Sequence, residues 1–355
     1  METLVIRVDP EQFDAAALAP AAAILRDGGL VVFPTETVYG VAANLDRPEA
    51  VARLAELRRS EEERGVTLHV TSVEQAARVA NLPPCGVAQR LVRRFWPGPL
   101  TLVLRGRDGR AAAVRWPSHR VACELLRQAE VRVGAPPANL PGEPPVADGA
   151  SAARAFSGRV ECVIDSGPAQ HRSVSTMVAL GGRRPEIVRA GAIPAALVEE
   201  AGAVTVLFVC TGNTCRSPIA ELLFRRLLAR RLGVEDAELE SRGFRVASAG
   251  TTASDGAGPL DESVTVMREL EIDIARHRSR PVTPRLVEDA DRVFTMTRRH
   301  RDTILEFVPT CPHVELLDPA GRDIEDPFGS SVAVYRECAR RIRECLEKRL
   351  EEFVR

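Results

Sequence analysis

Apolar residues in the first half of the chain form short runs separated by segments with helical spacing. The segments GLVVFPTETVYGVAA (29–43) and LTLVLRG (100–106) have the composition of strands. In contrast, PEAVARLAELRRSEEE (48–63) and GVAQRLVRRF (86–95) repeat apolar positions every three or four residues, as amphipathic helices do. The first half is therefore predicted to combine strands and helices.

The second half alternates strand and helix patterns more regularly. Strands are predicted at 204–209, 244–248 and 292–296, and helices at 217–232, 259–271, 299–306 and 331–353. This order predicts an α/β fold with a parallel sheet and covering helices.

A domain boundary is predicted between the two patterns. The segment IPAALVEEAGA (193–203) reads as a short helix that ends at Gly202, and a new strand begins at Val204. A length of 355 residues favours two domains, which we place at 1–200 and 204–355. Because no long Gly/Ser-rich or Pro-rich linker joins the halves, we expect them to lie close together.

Composition and charge restrict the classes of function. Hydrophobic residues make up 45% of the chain and charged residues 27%, which is typical of globular domains. A net charge of -1 gives no general attraction to polyanions, so stable DNA binding is not expected. The basic residues are almost all arginine, and Lys348 is the only lysine.

Cysteine content and the first apolar run bear on localisation. Eight cysteines without the dense spacing of a secreted scaffold fit a reducing cytosol. The run AAALAPAAAIL (15–25) follows acidic Asp9, Glu11 and Asp14, which is the wrong flank for a secretory signal. It is also too short to span a bilayer, so we expect a cytoplasmic protein without a membrane partner.

The segment CTGNTCRS, residues 210–217, carries the clearest chemistry. It follows a buried strand pattern and precedes a helix that opens with Pro218, so loop amides and the helix N-terminus form an anion cradle. Gly212 permits close backbone approach, and Arg216 presents a guanidinium fork to a phosphate. These positive surroundings predict a lowered pKa for Cys210, which makes it a thiolate nucleophile. The alternative is that Cys210 is a small buried residue at a strand end.

The loop and three later motifs resemble the low-molecular-weight protein phosphatase family. The later motifs are SAGT (248–251), ADRVFTMT (290–297) and DPFG (326–329). The resemblance implies a phosphocysteine on Cys210 and no cofactor. It implies that Arg216 holds the phosphoryl oxygens and that Asp326 protonates the leaving group and then activates water. It further implies that Ser217 hydrogen-bonds the thiolate and that Asn213 braces a loop that includes Thr211. A turn-starting Asp-Pro is the alternative for Asp326.

Thr214 and Phe328 bear on the substrate. Tyrosine-directed members carry a bulkier apolar residue at the position of Thr214 and a tyrosine in the DPFG segment, so this chain resembles the protein arginine phosphatase subgroup. A small hydroxyl leaves room for a planar guanidinium, and Asp326 offers it a carboxylate. Phosphoarginine is favoured over phosphotyrosine on phosphorylated protein substrates, although Thr214 as a tolerated loop residue is the alternative.

Cys215 is the second cysteine of the loop. The resemblance implies that it forms a reversible disulfide with Cys210, and a helix-start cysteine without a role is the alternative. Cys338 and Cys345 are seven residues apart on one predicted helix. They are thus about 10 Å apart by helical rise, too far for a disulfide relay.

Motifs of the first half, in their order, resemble the YrdC-type threonylcarbamoyl-AMP synthase family over about residues 5–200. They include GLVVFPTETVYGVAA, RFWPGPLTLVLRG, AAAVRWPSH, PPANLPGEPP, VSTMV and IVRAGAI. The resemblance implies a twisted α/β sheet with a positive concave face. It also implies synthesis of threonylcarbamoyl-AMP from threonine, bicarbonate and ATP with Mg²⁺, for the t6A modification of adenosine 37 in tRNA. Carried over, Thr35, Arg115, Ser175 and, less directly, His69 hold threonine, whereas Asn139 and Arg189 contact ATP.

The first half departs from this family at several positions. Arg58, Ser60 and Glu61 stand where the family has Lys-x-Arg-Pro, and Pro137 replaces the serine of Ser-Ala-Asn. An arginine fork does not reproduce a lysine point charge. A degenerate domain that binds a nucleotide, threonine or RNA as a regulatory module is therefore the competing hypothesis.

Overall fold

The computed structural model describes residues 2–58, 66–182 and 184–354. The chain divides into two compact units, one made of Met1–Leu82 and Leu91–Glu199 and the other of Pro83–Arg90 and Glu200–Arg355. Each unit has its own sheet. Among the described residues, no helix is both long and apolar enough to cross a membrane.

The first unit is built on a ten-stranded mixed sheet with the order β1-β8-β2-β3-β7-β4-β6-β5-β9-β10. Its strands are β1 Leu4–Arg7, β2 Val31–Phe33, β3 Gly40–Asn44, β4 Thr67–His69, β5 Leu100–Arg105, β6 Ala111–Arg115, β7 Val133–Gly134, β8 Cys162–Asp165, β9 Thr176–Ala179 and β10 Glu186–Arg189. The helices up to residue 201 are α1 Ala19–Arg26, α2 Pro48–Arg58, α3 Val73–Val79, α4 Val87–Phe95, α5 Arg120–Ala129, α6 Gly149–Phe156 and α7 Ala195–Ala201.

The central strands of this sheet are buried on both faces. Val31 and Phe33 of β2 pack in one apolar cluster with α1 and α5, whereas Val32 packs in another with α2 and α6. Successive strand residues point to opposite faces, which explains why these strands read as continuous apolar runs. The α/β prediction for this half is confirmed.

The second unit contains a four-stranded parallel sheet with the order β12-β11-β13-β14. Its strands are β11 Val204–Cys210, β12 Phe244–Gly250, β13 Arg292–Thr295 and β14 Val314–Leu316. Its helices are α8 Arg216–Leu232, α9 Asp261–Glu269, α10 Pro284–Asp289, α11 Arg298–Phe307 and α12 Val332–Val354, and Lys348 is exposed on α12. The parallel α/β prediction is confirmed, and α10 and β14 are additions to it.

Alternation along β11 buries both faces of this sheet. Val206 and Phe208 join a core that includes residues of α8, α9 and α12, and Leu207 and Val209 join a second core with α10 and α11. The carboxyl end of β11 is thereby fixed from both sides, and it delivers Cys210 to the loop that enters α8.

Candidate functional site

The loop between β11 and α8 is shaped by one residue with left-handed backbone. Asn213 has φ 55°, a conformation that asparagine tolerates better than most residues. Its side-chain Nδ2 donates to Ser217 Oγ (2.9 Å) and Ser248 Oγ (2.8 Å). The Asn213 side chain therefore ties the loop to the start of α8 and to β12.

Two residues that the sequence did not single out complete the support of Asn213. His277 Nε2 donates to the Asn213 carbonyl oxygen (2.7 Å), and the Arg280 backbone N–H donates to Asn213 Oδ1 (3.0 Å). Both lie more than sixty residues along the chain, so no local spacing relates them to the loop.

Cys210 is fully buried at the base of the loop. Its Sγ lies 3.0 Å from Ser217 Oγ and accepts from the Asn213 N–H at 3.3 Å. Burial opposes ionisation, but hydrogen bonds from Cys215 and Ser217 and the Arg216 charge outweigh it and lower the pKa of Cys210 to about 6. The hydrogen bond between Cys215 and Cys210 raises the pKa of Cys215, and burial of Cys215 raises it further. A thiolate at Cys210 beside a neutral Cys215 is the arrangement of an activated nucleophile.

Arg216 is almost fully buried yet keeps one donor without an acceptor. Its Nη1 donates to the Ile324 carbonyl oxygen (3.1 Å), and its Nη2 donates to Thr211 Oγ1 (3.3 Å) and ion-pairs with Asp326. Its Nε has no hydrogen-bond partner within the described part of the chain. A buried unsatisfied guanidinium donor in an amide-lined loop suits an anionic ligand.

The DPFG segment brings Asp326 against the loop. The Asp326 side chain is 44% exposed, and its Oδ1 accepts from the Phe328 N–H (3.3 Å) and lies 3.9 Å from Cys215 Sγ. Phe328 itself is 70% exposed. The carboxylate is therefore next to the loop and open to an incoming group, and Phe328 is an exposed apolar residue beside it.

Thr214 and Gly212 form the half-buried part of the loop. The Thr214 carbonyl oxygen accepts from the Leu260 N–H (3.1 Å) and from Ser263 Oγ (3.4 Å). These two contacts hold the backbone that carries the Thr214 side chain. Thr211 is the exposed residue of the loop.

His300 is a further site residue that the sequence did not indicate. Its Nε2 lies 2.8 Å from Thr211 Oγ1, and its Nδ1 lies 3.0 Å from Thr297 Oγ1. Burial and the Arg216 charge lower the pKa of His300 to about 4, so its ring is neutral at pH 7. His300 follows the ADRVFTMT motif by three residues. Thr297, the last residue of that motif, is the N-cap of α11, and its side chain accepts from the His300 N–H. This capping pattern is the sequence signal that could have located His300.

In the first unit, five of the six predicted ligand residues line one pocket. These are Thr35, His69, Arg115, Ser175 and Arg189. Asn139 is not among its lining residues, and its Nδ2 donates to the neighbouring Leu140 carbonyl oxygen (3.2 Å). The pocket combines hydroxyls with two arginines, so it suits a polar ligand that carries a carboxylate or a phosphate.

Arg115 is positioned by a buried carboxylate that the sequence did not suggest. Its Nη2 donates to Glu36 Oε1 at 2.7 Å, and both side chains are buried. Burial opposes ionisation of Glu36, but the Arg115 charge outweighs it and lowers the pKa of Glu36. The Nε of Arg115 has no partner among the residues that the structure covers. The pair thus fixes Arg115 and leaves one donor for a ligand.

Three other predicted residues are held by short polar contacts. Arg189 donates to the Ser175 carbonyl oxygen (3.0 Å) and to Ser175 Oγ (2.9 Å). Thr35 Oγ1 donates to the Val38 carbonyl oxygen at 2.6 Å. His69 Nδ1 donates to the Thr67 carbonyl oxygen (3.0 Å), and burial and the Arg115 charge lower the pKa of His69 to about 4. A neutral His69 therefore keeps Nε2 as an acceptor.

The residues that depart from the family pattern do not all lie at the pocket. Pro137 lines the pocket, whereas Arg58 ends α2 and is not among the pocket residues. Ser60 and Glu61 lie outside the described residues. Among the described residues, no aspartate or glutamate is in the lining of this pocket.

Two family models match the chain in turn. The Sua5/YciO/YrdC model, described as "Telomere recombination", matches residues 23–191. The model "Low molecular weight phosphotyrosine protein phosphatase" matches residues 205–355.

Individual relatives agree with this division. A threonylcarbamoyl-AMP synthase of Pyrococcus abyssi is 36% identical over 209 residues, which is 56% of this chain and 60% of that protein. The chain thus spans less than two thirds of the length of this relative. A protein-arginine-phosphatase of Bacillus subtilis is 35% identical over 148 residues, 40% of this chain and 92% of that protein.

A solved structure of a P. abyssi Sua5 variant has a TM-score of 0.53 at 26% identity and covers 79% of this chain and 99% of its own. The first half of the chain therefore belongs to the Sua5/YciO/YrdC family, and the second half belongs to the low-molecular-weight phosphatase family.

Proposed function

We propose that the chain is a bifunctional cytoplasmic enzyme whose second unit dephosphorylates phosphoarginine in proteins. The observation that carries this proposal is Cys210, whose Sγ accepts from the Asn213 N–H and contacts Ser217 Oγ, beside Arg216 with an unpartnered Nε. The similarity to a protein-arginine-phosphatase supports the choice of substrate. Eight cysteines without the dense spacing of a secreted disulfide scaffold support a reducing compartment.

In the first step the Cys210 thiolate attacks phosphorus. The S–P bond forms, the P–N bond of phosphoarginine breaks, and the carboxyl proton of Asp326 passes to the departing guanidino nitrogen. Arg216 and the loop amides hold the phosphoryl oxygens, whose charge is spread in the transition state. The contact between the Asp326 and Arg216 side chains places the Asp326 carboxyl group beside the reacting atoms, where it acts as the acid in its protonated form.

In the second step a water molecule attacks the phosphocysteine. Asp326 takes a proton from the water, the O–P bond forms, and the S–P bond breaks. Inorganic phosphate leaves, and the thiolate of Cys210 is restored. The Ser217 hydroxyl, 3.0 Å from Cys210 Sγ, stabilises the thiolate as a leaving group.

Thr214 and Asp326 favour phosphoarginine over phosphotyrosine as the substrate. Asp326 is open to the entering group and pairs with a guanidinium in the present structure, that of Arg216. A substrate guanidinium offers the same planar donors. Thr214 adds a small hydroxyl where a bulky apolar side chain would cover a tyrosine ring.

The phosphatase is tested by Cys210→Ser with a phosphoarginine peptide and a matched phosphotyrosine peptide. Phosphate release should fall to background on both, and Cys345→Ser, a buried cysteine on α12, is the matched control. Activity of Cys210→Ser within a few-fold of the parent chain contradicts the mechanism. A preference of the parent chain for phosphotyrosine contradicts the substrate assignment.

For the first unit we propose threonylcarbamoyl-AMP synthesis from threonine, bicarbonate and ATP. Thr35, His69, Arg115 and Ser175 hold threonine, with the Arg115 Nε available to its carboxylate, and Arg189 contacts ATP from the same pocket. Asn139 contacts ATP from outside the residues that line this pocket. The threonine amine attacks the carbon of bicarbonate, the new N–C bond forms as a C–O bond breaks, and water leaves, which gives a carbamate. A carbamate oxygen then bonds to the α-phosphorus of ATP and displaces pyrophosphate. We further propose that the product serves the t6A modification of tRNA, as the resemblance to the synthase family implies.

The synthase is tested by pyrophosphate release with ATP, threonine, bicarbonate and Mg²⁺. Release should require threonine and should be lost in Arg115→Ala and lowered in Asn139→Ala. Ser157→Ala, which follows α6, is the control. If no pyrophosphate is released while the phosphatase is active, the synthase proposal for the first unit fails.

A further inference from the structure

A buried cluster in the second unit lies apart from the phosphate loop and its hydrogen-bond partners. Its side chains are Cys85, Cys311 and His313, which are 7%, 2% and 7% exposed. The two cysteine Sγ atoms and one ring nitrogen of His313 all lie within 4.8 Å of one another. Within the described ranges, no other cluster of three such side chains meets this criterion.

His313 has its tautomer set by the backbone. Its Nε2 donates to the Val287 carbonyl oxygen (3.3 Å), so the proton lies on Nε2 and the Nδ1 lone pair points to Cys85 Sγ at 3.1 Å. A metal-binding histidine commonly has this second hydrogen bond, which orients the ring and keeps the other nitrogen free to coordinate.

The backbone around each ligand is anchored. The Gly86 N–H next to Cys85 donates to the Glu288 carbonyl oxygen (2.7 Å). The His313 carbonyl oxygen accepts from the Val293 N–H of β13 (3.0 Å), and the Cys311 N–H donates to the Val308 carbonyl oxygen (3.4 Å). Three ligands on fixed backbone form a site that loses little conformational entropy on binding a cation.

We propose that Cys85, Cys311 and His313 supply three of the four ligands of a buried Zn²⁺ site, with water as the fourth. Tetrahedral zinc with ordinary bond lengths requires sulfur–sulfur and sulfur–nitrogen distances of about 3.5 to 3.8 Å. The observed separations, 3.1 Å for Cys85 to His313 and all within 4.8 Å, allow this geometry with small side-chain rotations.

The charges of the donor set select the cation. Two thiolates and a neutral imidazole cancel the charge of a divalent ion, which suits a site packed among Val287, Ile304 and Val314. A harder divalent ion such as Mg²⁺ or Ca²⁺ requires oxygen ligands, which this cluster does not offer. Binding replaces two thiol protons, so it releases protons and strengthens as pH rises.

The test uses the full chain with Cys210→Ser and Cys215→Ser, which removes the loop thiols from the measurement. The protein is treated with a chelator, kept reduced, and titrated with Zn²⁺ against a chromophoric competitor and separately with Co²⁺. One Zn²⁺ per chain should bind with submicromolar affinity, and Co²⁺ should produce thiolate-to-metal charge-transfer absorption. Because this background retains all three ligands, the result does not depend on the folding of ligand variants.

Ligand variants then assign the site. Cys311→Ser should weaken Zn²⁺ binding at least about 100-fold and remove the charge-transfer band. Cys345→Ser, which removes another buried thiol of the second unit, should change neither. The proposal is overturned if the reduced background protein takes up no Zn²⁺, if Cys311→Ser binds as tightly, or if Cys345→Ser loses binding equally.

Discussion

At the residue scale, the ionisation of Cys210 depends on a few donors in a buried loop. Burial alone would keep the thiol protonated, and Cys215, Ser217 and Arg216 reverse that preference and bring the pKa of Cys210 to about 6. The thiolate fraction therefore rises as pH increases through about 6. In the proposed reaction only the thiolate attacks, so the acidic limb of kcat/KM reports this ionisation.

Ser217→Ala should move that acidic limb to higher pH. The substitution removes a hydroxyl 3.0 Å from Cys210 Sγ, so the thiolate loses a donor and the pKa of Cys210 increases. At pH 6 the activity falls more than at pH 8, and the pH profile of kcat/KM measures the difference. Ser166→Ala, at a buried serine of the first unit, should leave the profile in place. An unshifted limb in Ser217→Ala would show that Ser217 does not stabilise the thiolate.

Thr214→Ile should change the choice of substrate. The larger apolar side chain removes a hydroxyl and fills space beside the Thr214 backbone, which Leu260 and Ser263 hold in place. The ratio of kcat/KM for phosphoarginine over phosphotyrosine peptides should fall at least about tenfold, which corresponds to about 1.4 kcal/mol. Thr214→Ser, which keeps the hydroxyl, should retain the preference. Equal ratios in the parent chain and in Thr214→Ile would remove Thr214 from the specificity argument.

Sequence patterns indicated the residues whose chemistry is local and missed those that arrive from distant segments. Cys210, Arg216 and Ser217 follow one another in a single loop, and their shared spacing suggests an anion site. Glu36 and His277 are ordinary polar residues in sequence. They become part of the sites only because folding places Glu36 against Arg115 and His277 against Asn213.

At the element scale, the turn after β12 and the phosphate loop are packed without space between them. A Cβ at Gly250, the last residue of β12, would lie 2.4 Å from the Thr211 carbonyl oxygen and 2.9 Å from the Asn213 backbone nitrogen. The SAGT motif therefore needs its glycine because the loop backbone occupies the position of a side chain.

Gly250→Ala should displace the loop and lower kcat/KM by at least about tenfold, because displacing the catalytic groups by about 1 Å disturbs their alignment with the reacting atoms. Far-ultraviolet circular dichroism should stay close to that of the parent chain if the shift is local. Gly258→Ala is the matched control, since a Cβ there has no neighbour within 4 Å. Full activity of Gly250→Ala would mean that the loop accommodates the methyl group without cost.

Long elements were predictable because their periodicity extends over many residues, and short ones were not. The predicted strand at 204–209 and helices at 217–232 and 331–353 correspond to β11, α8 and α12. By contrast, β14 has three residues and α10 has six, too few for a periodic pattern. Pairing with β13 defines β14, and that neighbour is absent from the local sequence.

At the scale of the whole molecule, no disulfide joins any of the eight cysteines, and only two of them share the phosphate loop. Peroxide converts a thiolate to a sulfenic acid, so Cys210 should react first. The thiol of Cys215 then displaces water from the Cys210 sulfenic acid and forms a disulfide, which an added thiol reduces.

Peroxide should therefore inactivate the parent chain reversibly and Cys215→Ser irreversibly. Without Cys215 the sulfenic acid of Cys210 persists and advances to higher oxidation states. Recovery of phosphatase activity after dithiothreitol measures the difference, and Cys345→Ser should recover like the parent chain. Equal recovery of Cys215→Ser and the parent chain would assign Cys215 no protective role.

The single lysine of the chain has a practical consequence. Lys348 is exposed on α12, whereas the many other cationic side chains are guanidinium groups that do not react with activated esters at neutral pH. An amine-directed tether therefore has one side-chain point of attachment, on an outward-facing position of a 23-residue helix. Molecules fixed to a sensor surface or labelled with a dye through this amine would share one orientation, which favours single-molecule measurements of substrate capture.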